Sequence, residues 1–130
     1  MPDNPYPLPN DELEKERLDA LQTCFYLLFG TNVVAPIIKN PTEIGNLASL
    51  CMVLIASVDI GTGSGRWVVE VADDYPTAHV VGIDLSPIQP TEVPTNAEFI
   101  LMDLTGGLEF ETGSVDLLQS RYSWTLTCGF

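Results

Sequence analysis

Asp59 is followed at alternate positions by Gly61, Gly63 and Gly65 in the stretch VDIGTGSGRW, and Asp84 and Asp103 stand near the ends of two later apolar runs, HVVGIDL and AEFILMDL. Glycine inside a helix or strand costs roughly 0.5–1 kcal/mol relative to alanine, so this spacing fits a chain that turns sharply or lets a ligand approach its backbone. Asp59 narrows the ligand. A carboxylate at the mouth of such a loop sits badly beside a pyrophosphate but well beside an ammonium or sulfonium, so a cationic nucleoside accounts for it. The dinucleotide fingerprint G-x-G-x-x-G is fitted by Gly61 and Gly63, but its third position is Arg66, and Gly65 comes one place early.

These residues need elements to bring them together. Asp11, with Glu14 after it, resembles a capping box, and a helix is expected from there to a stop at Gly30. Leu13, Ala20, Leu21, Cys24, Phe25 and Leu28 fall on one face of it at helical spacing; for Arg17, at the edge of that face, contact with a ligand stands open beside the commoner reading as a snorkelling side chain. A second helix is expected after the glycines, with Trp67, Val68, Val71 and Ala72 inward and Pro76 closing it. The runs from His79 to Leu85, Ala97 to Leu104 and Val115 to Ser120 read as strands, and the proline-rich SPIQPTEVPTN between the first two as a poor helix. Strands separated by helical or turn segments imply parallel pairing. In such a sheet ligands bind at the carboxyl ends of the strands, where Asp59, the glycines, Asp84 and Asp103 all map. Singly, each has a plainer use, as a tight turn or a helix cap; their joint placement argues for a site.

Composition sets the company this site keeps. Five basic against eighteen acidic residues give a net charge of −13, which repels nucleic-acid phosphates and anionic lipid heads. Cys24, Cys51 and Cys128 are far apart and His79 is the sole histidine, a pattern that suits neither a disulfide framework nor a metal site. The chain opens on a proline-rich polar segment, residues 1–10, rather than a signal segment, which points to a cytoplasmic or nuclear setting. The longest apolar run, Leu47 to Val58, falls short of the roughly 20 residues a membrane span needs.

The motif VDIGTGSG resembles the first motif of the class I S-adenosylmethionine-dependent methyltransferases. The leader YPLPNDELEKERLDALQ followed by APIIKNP, with DLSPIQPTEVPTNAEF after the second strand, is similar to the fungal LaeA-like (TAM-domain) members. The resemblance implies an α/β, Rossmann-like fold, here a partial parallel sheet of about four strands with an N-terminal helix, and S-adenosyl-L-methionine as cofactor. It implies that Gly61, Thr62, Gly63 and Gly65 pass close to the methionine part and that Asp59 helps hold its polar end. By the same resemblance Asp84, with Leu85 beside it, accepts from the ribose hydroxyls, and Met102 and Asp103 flank the adenine. It further implies methyl transfer to a small-molecule or protein acceptor, with a regulatory protein partner as in relatives tied to secondary metabolism.

The chain departs from the family's pattern in two places. The join NPTEI to VDIGTGSG is interrupted by an apolar insertion, residues 45–57, for which a retained intron and an extended first strand both stand open. The family's sheet has seven strands, whereas this sequence ends soon after the fourth, so residues 1–130 read as one truncated domain. That leaves a second function open, a catalytically incompetent fragment or an interaction module. No catalytic residue is identified. His79 opens the second strand away from the glycines, while Gln119, Ser120, Tyr122 and Trp124 are acceptor-side candidates by position.

Overall fold

A computed structural model describes residues 11–34, 56–107, 110–111 and 114–121 of the chain. Asp11 starts the first helix, α1 (Glu12–Phe29): its carboxylate accepts the Glu14 amide at 3.0 Å. Gly30, at φ 69°, ends it by donating its amide to the Tyr26 carbonyl at 2.7 Å. Only half of the expected capping box forms. Glu14 takes the Arg17 guanidinium, at 2.5 and 2.7 Å, a two-pronged ion pair that outcompetes a bond back to the Asp11 amide.

The face that α1 turns inward coincides only in part with the one its apolar residues mark. Leu13 and Leu28 are 74% and 79% exposed, and Ala20 and Cys24 are exposed with them. Leu21 and Phe25 do lie inward, together with Leu18 and the buried Gln22. The reason is polar pairing: the Gln22 side-chain amide donates to Asn32 Oδ1 at 2.8 Å and Glu70 Oε2 at 2.9 Å, so its burial leaves no donor stranded.

Four strands follow, β1 (Ala56–Ile60), β2 (His79–Asp84), β3 (Ala97–Leu101) and β4 (Leu117–Ser120), all paired in parallel in the order β3-β2-β1-β4. A helix, α2 (Arg66–Asp74), crosses between β1 and β2, and a short 3-10 turn, Leu104–Gly106, follows β3. This is the Rossmann-like α/β arrangement expected, and the segment between β2 and β3 is without helix, as its prolines require. Of the apolar segment 45–57, Ala56 and Ser57 form the start of β1, beside His79 and Val80; the remainder lies outside the described residues, as do residues 1–10.

The two faces of the sheet bury separate cores. On one, Trp67, Val68, Val71 and Ala72 of α2 pack with Tyr75, Ala78, Val80 and Ala97. On the other, Val58, Val81 and Ile83 gather Ile60, Ile100 and Met102. Burying a valine such as Val71 or Val80 completely contributes about 1.5–3 kcal/mol. Strand alternation places Asp59, Gly82 and Asp84 on the α2 side. The register aligns Gln119, Asp59, Gly82 and Phe99 in one row across the sheet. Strand order reverses at β1, which has β2 on one side and β4 on the other; the crevice above such a reversal is where ligands bind in this architecture. Among the described residues, no helix is long and apolar enough to cross a membrane.

Candidate functional site

The loop leaving β1 passes over the end of β2. The amides of Gly61 and Thr62 donate to the Ile83 carbonyl at 2.8 and 3.0 Å, the Gly63 amide donates to Asp84 Oδ2 at 2.8 Å, and the Gly65 amide donates to the Thr62 carbonyl at 3.1 Å. Gly61, Gly63 and Gly65 have φ of 69°, 60° and 79°, a left-handed conformation that costs other residues about 1–2 kcal/mol each. The three glycines therefore answer first to backbone geometry.

Two of them also answer to crowding. A β-carbon on Gly65 would overlap the Phe99 ring, and one on Gly63 would lie 2.9 Å from Leu18 Cδ1 of α1. Gly82 in β2 belongs to the same device, since a β-carbon there would stand 2.6 Å from Phe99 Cδ1. Gly82 went unrecognised in the sequence; a glycine inside a strand, two residues before Asp84, was the available signal.

Beneath α1, at the reversal point of the sheet, lies a cavity of about 190 Å³, lined by Asp59, Gly61, Thr62 and Gly63 from β1 and its loop, Arg17 and Leu18 from α1, and Arg121 beyond β4. Asp59 is almost wholly enclosed, and burial pushes its carboxyl up to about 7; Thr62 and Arg121 act in the opposite direction, while the neighbouring Asp84 adds to the rise. A positively charged group entering the cavity would favour the ionised form. The Arg121 guanidinium lies 3.9 Å from the centroid of the Phe25 ring and 5.9 Å from that of Trp67, so aromatic faces from both helices support it. The Gln119 amide lies beside Arg121, and with its oxygen and nitrogen exchanged the oxygen would accept from Arg121 Nε at 3.0 Å.

The structure brings Asp59, Gly61, Thr62 and Gly63 together on one cavity wall. Gly65 sits behind it, as the N-cap of α2. Asp84 is buried on the far side of the loop, where its two oxygens accept the amides of Gly63 and Ser86 at 2.8 and 3.0 Å; Leu85 follows it, half-buried. Met102 packs into the second core, and the exposed Asp103 accepts the amide and hydroxyl of Thr105 at 2.9 and 2.7 Å, bonds that hold its carboxyl below the ordinary range.

Arg17 stands on the cavity wall, paired to Glu14, with its side chain about half exposed. Arg121 was missed outright, although a basic residue just past the strand beside β1 was a readable signal. His79 opens β2 at the end remote from the loop and meets Glu98 at 2.8 Å. Gln119 and Ser120 end β4; Tyr122 and Trp124 lie outside the described residues.

Comparison with known proteins bears on this geometry. A family model described as a methyltransferase domain matches residues 58–128, more than half of the chain. The chain is 35% identical over 101 residues to methyltransferase pytC of Aspergillus terreus, an alignment covering 76% of this chain and 27% of that one. It is 40% identical over 96 residues to the protein-methionine methyltransferase laeA of Emericella nidulans, covering 72% and 22% respectively. It is also 40% identical over 94 residues to the secondary metabolism regulator laeA of Aspergillus flavus, again covering 72% and 22%. The chain thus matches about a quarter of the length of these curated relatives.

Proposed function

We propose, from the premise that the chain belongs to the methyltransferase-domain family, that its glycine loop and cavity bind S-adenosyl-L-methionine for methyl transfer to a protein or small-molecule acceptor. The observation that carries this is the placement of Asp59: a buried carboxylate on the wall of a cavity, bordered by the bare backbone of Gly61 to Gly63 and faced by Arg121. The donor set suits the cofactor's amino-acid end. Asp59 matches an α-ammonium, and the guanidinium groups of Arg17 and Arg121 match an α-carboxylate. At about 190 Å³ the cavity is below the roughly 300–1,000 Å³ of sites that hold a drug-sized ligand, so it suits that end and not the adenosine as well. The adenosine is assigned to the side of Asp84, Leu85, Met102 and Asp103. Asp84 spends two bonds on loop amides, and an ionised carboxylate has about four acceptor positions, which leaves capacity for ribose hydroxyls.

When bound, S-adenosylmethionine supplies an electrophilic methyl on a sulfonium. The chain's own part is to bind, orient and exclude water, and positioning of this kind can be worth about 7–11 kcal/mol of barrier. The Emericella nidulans relative is named for protein methionine. A thioether acceptor of that kind loses no proton on methylation, so the step calls for alignment and charge stabilisation without a general base.

Two features disfavour a dinucleotide. Arg66 replaces the third fingerprint glycine, and the Asp19 carboxylate, accepting from Ser64 Oγ at 2.6 Å, lies by the start of α2, where a pyrophosphate would sit. The family match and the relatives' names also favour methylation over a silent interaction module. Equilibrium dialysis with methyl-labelled S-adenosylmethionine tests the assignment: retention by the wild type and its loss in Asp59→Ala support it, whereas equal retention by both contradicts it. Label passing to a methionine-containing peptide would establish transfer.

A further inference from the structure

Arg66 is the residue that parts this loop from a dinucleotide fingerprint, and its side chain bonds through Nε and Nη1 to partners away from the loop. Nε donates to Glu70 Oε1 at 2.7 Å within α2. Nη1 crosses to α1 and donates to the Asp19 carbonyl at 2.8 Å and to Thr23 Oγ1 at 2.6 Å. One residue before Gly65, Ser64 Oγ donates to Asp19 Oδ1 at 2.6 Å, and Gln22 reaches Glu70 Oε2 at 2.9 Å. Bonds on both sides of Gly65, the residue through which the loop becomes α2, therefore end on one face of α1.

The apolar contribution to this docking is partial: Leu18, Leu21 and Phe25 lie inward but are only half-buried. Leu13, Leu27 and Leu28 are exposed, and Gln22 is the residue α1 buries. Attachment of α1 over the loop therefore draws also on charge-assisted polar bonds, those from the Arg66 guanidinium and those to the Asp19 and Glu70 carboxylates. The registration they set is what brings Leu18 against Gly63 and Arg17 to the cavity wall.

We propose that Arg66 is a positioning residue that latches α1 across the glycine loop, so that α1 completes the ligand cavity only while the latch is made. A ligand enclosed beneath α1 is then exchanged by loosening the latch. The role of the cavity rests on the cofactor assignment above; the latch itself does not.

Hydrogen–deuterium exchange on the full chain tests the latch without any ligand. Arg66→Ala is expected to speed exchange of α1 amides about tenfold or more, as for loss of a charge-assisted bond, while amides from Val80 to Ile83 in β2 stay unchanged. Arg66→Lys, with a single point charge in place of the planar fork, should fall between wild type and alanine. Thr23→Val, which removes one acceptor, should loosen α1 alone and by less; it decides the matter if Arg66→Ala unfolds the chain. Unchanged α1 exchange in both Arg66→Ala and Thr23→Val, or α1 and β2 quickening together in both, overturns the proposal. Titration with S-adenosylhomocysteine separates the two claims. No binding by the wild type sinks the cofactor assignment and leaves the exchange result standing, whereas equal binding by wild type and an α1-loosened Arg66→Ala overturns the role of the latch in the cavity.

Discussion

Asp84 holds Gly63 from 21 positions away: its Oδ2 accepts the glycine's amide at 2.8 Å, fastening the end of β2 to the loop that follows β1. Its other oxygen accepts the Ser86 amide at 3.0 Å. Asp84→Ala strands both donors. The expected cost is about 2–3 kcal/mol of stability, read as a lower urea midpoint, and calorimetry should show S-adenosylhomocysteine bound about 1.5–3 kcal/mol more weakly. Unaltered stability would mean that the loop does not need this strut.

Gly65 and Gly30 share a left-handed backbone, with φ of 79° and 69°, but differ in surroundings. A β-carbon on Gly65 would overlap the Phe99 ring, whereas one on Gly30 would meet nothing within 4 Å. Gly30→Ala should cost about 1–2 kcal/mol for conformation alone. Gly65→Ala should cost about 1–3 kcal/mol beyond that for overpacking, and Phe99→Leu in the same chain should restore part of it. Thermal unfolding of the three variants decides; equal losses for both glycines would show that crowding by Phe99 does not matter.

How far the sequence revealed this arrangement depends on what kind of force placed each part. The α2 face of Trp67, Val68, Val71 and Ala72 is buried as its spacing implies, because apolar transfer made it. The left-handed glycines follow from residue type. On α1 only Leu21 and Phe25 of the expected stripe turn inward, since periodicity finds apolar residues and the inward face is set also by Gln22, Asn32, Glu70 and Arg66, whose bonds span distant positions. Arg121 and Gly82 escaped for a related reason. Local signals mark both residues, but what each meets, Phe99 beside Gly82 and the strand next to Asp59 that leads into Arg121, comes from strand register, which is not written in any one stretch.

Asp59 makes stability depend on pH with a definite sign. Burial raises its carboxyl to about 7, so between the ordinary carboxylate range and that value the folded chain holds a proton that the unfolded chain has released. The contribution is complete at low pH and is lost as pH rises toward and through about 7, with a slope of at most about 1.4 kcal/mol per pH unit for one proton. Urea midpoints from pH 5 to 8 should fall more for the wild type than for Asp59→Asn. Parallel curves would place the carboxyl outside this environment.

Asn96 closes the far end of α2. Its side-chain nitrogen donates to the carbonyls of Ala72, Tyr75 and Ala78 at 2.9, 3.2 and 2.9 Å, joining the helix end to the start of β2 and the approach to β3. Asn96→Ala should cost about 1–3 kcal/mol, and Asn96→Asp at least as much, because a carboxylate would face three carbonyl oxygens. A urea midpoint for Asn96→Asp equal to that of the wild type would refute the capping role.

The central claim, that Asp59 and the glycine loop form the cradle for the amino-acid end of an adenosyl cofactor, is met most directly by calorimetric titration of the full chain with S-adenosylhomocysteine and, in parallel, with NAD. The expected result is saturable heat with S-adenosylhomocysteine, weakened about tenfold or more in Asp59→Ala, and none with NAD. Silence from S-adenosylhomocysteine, or NAD bound equally well, would contradict it.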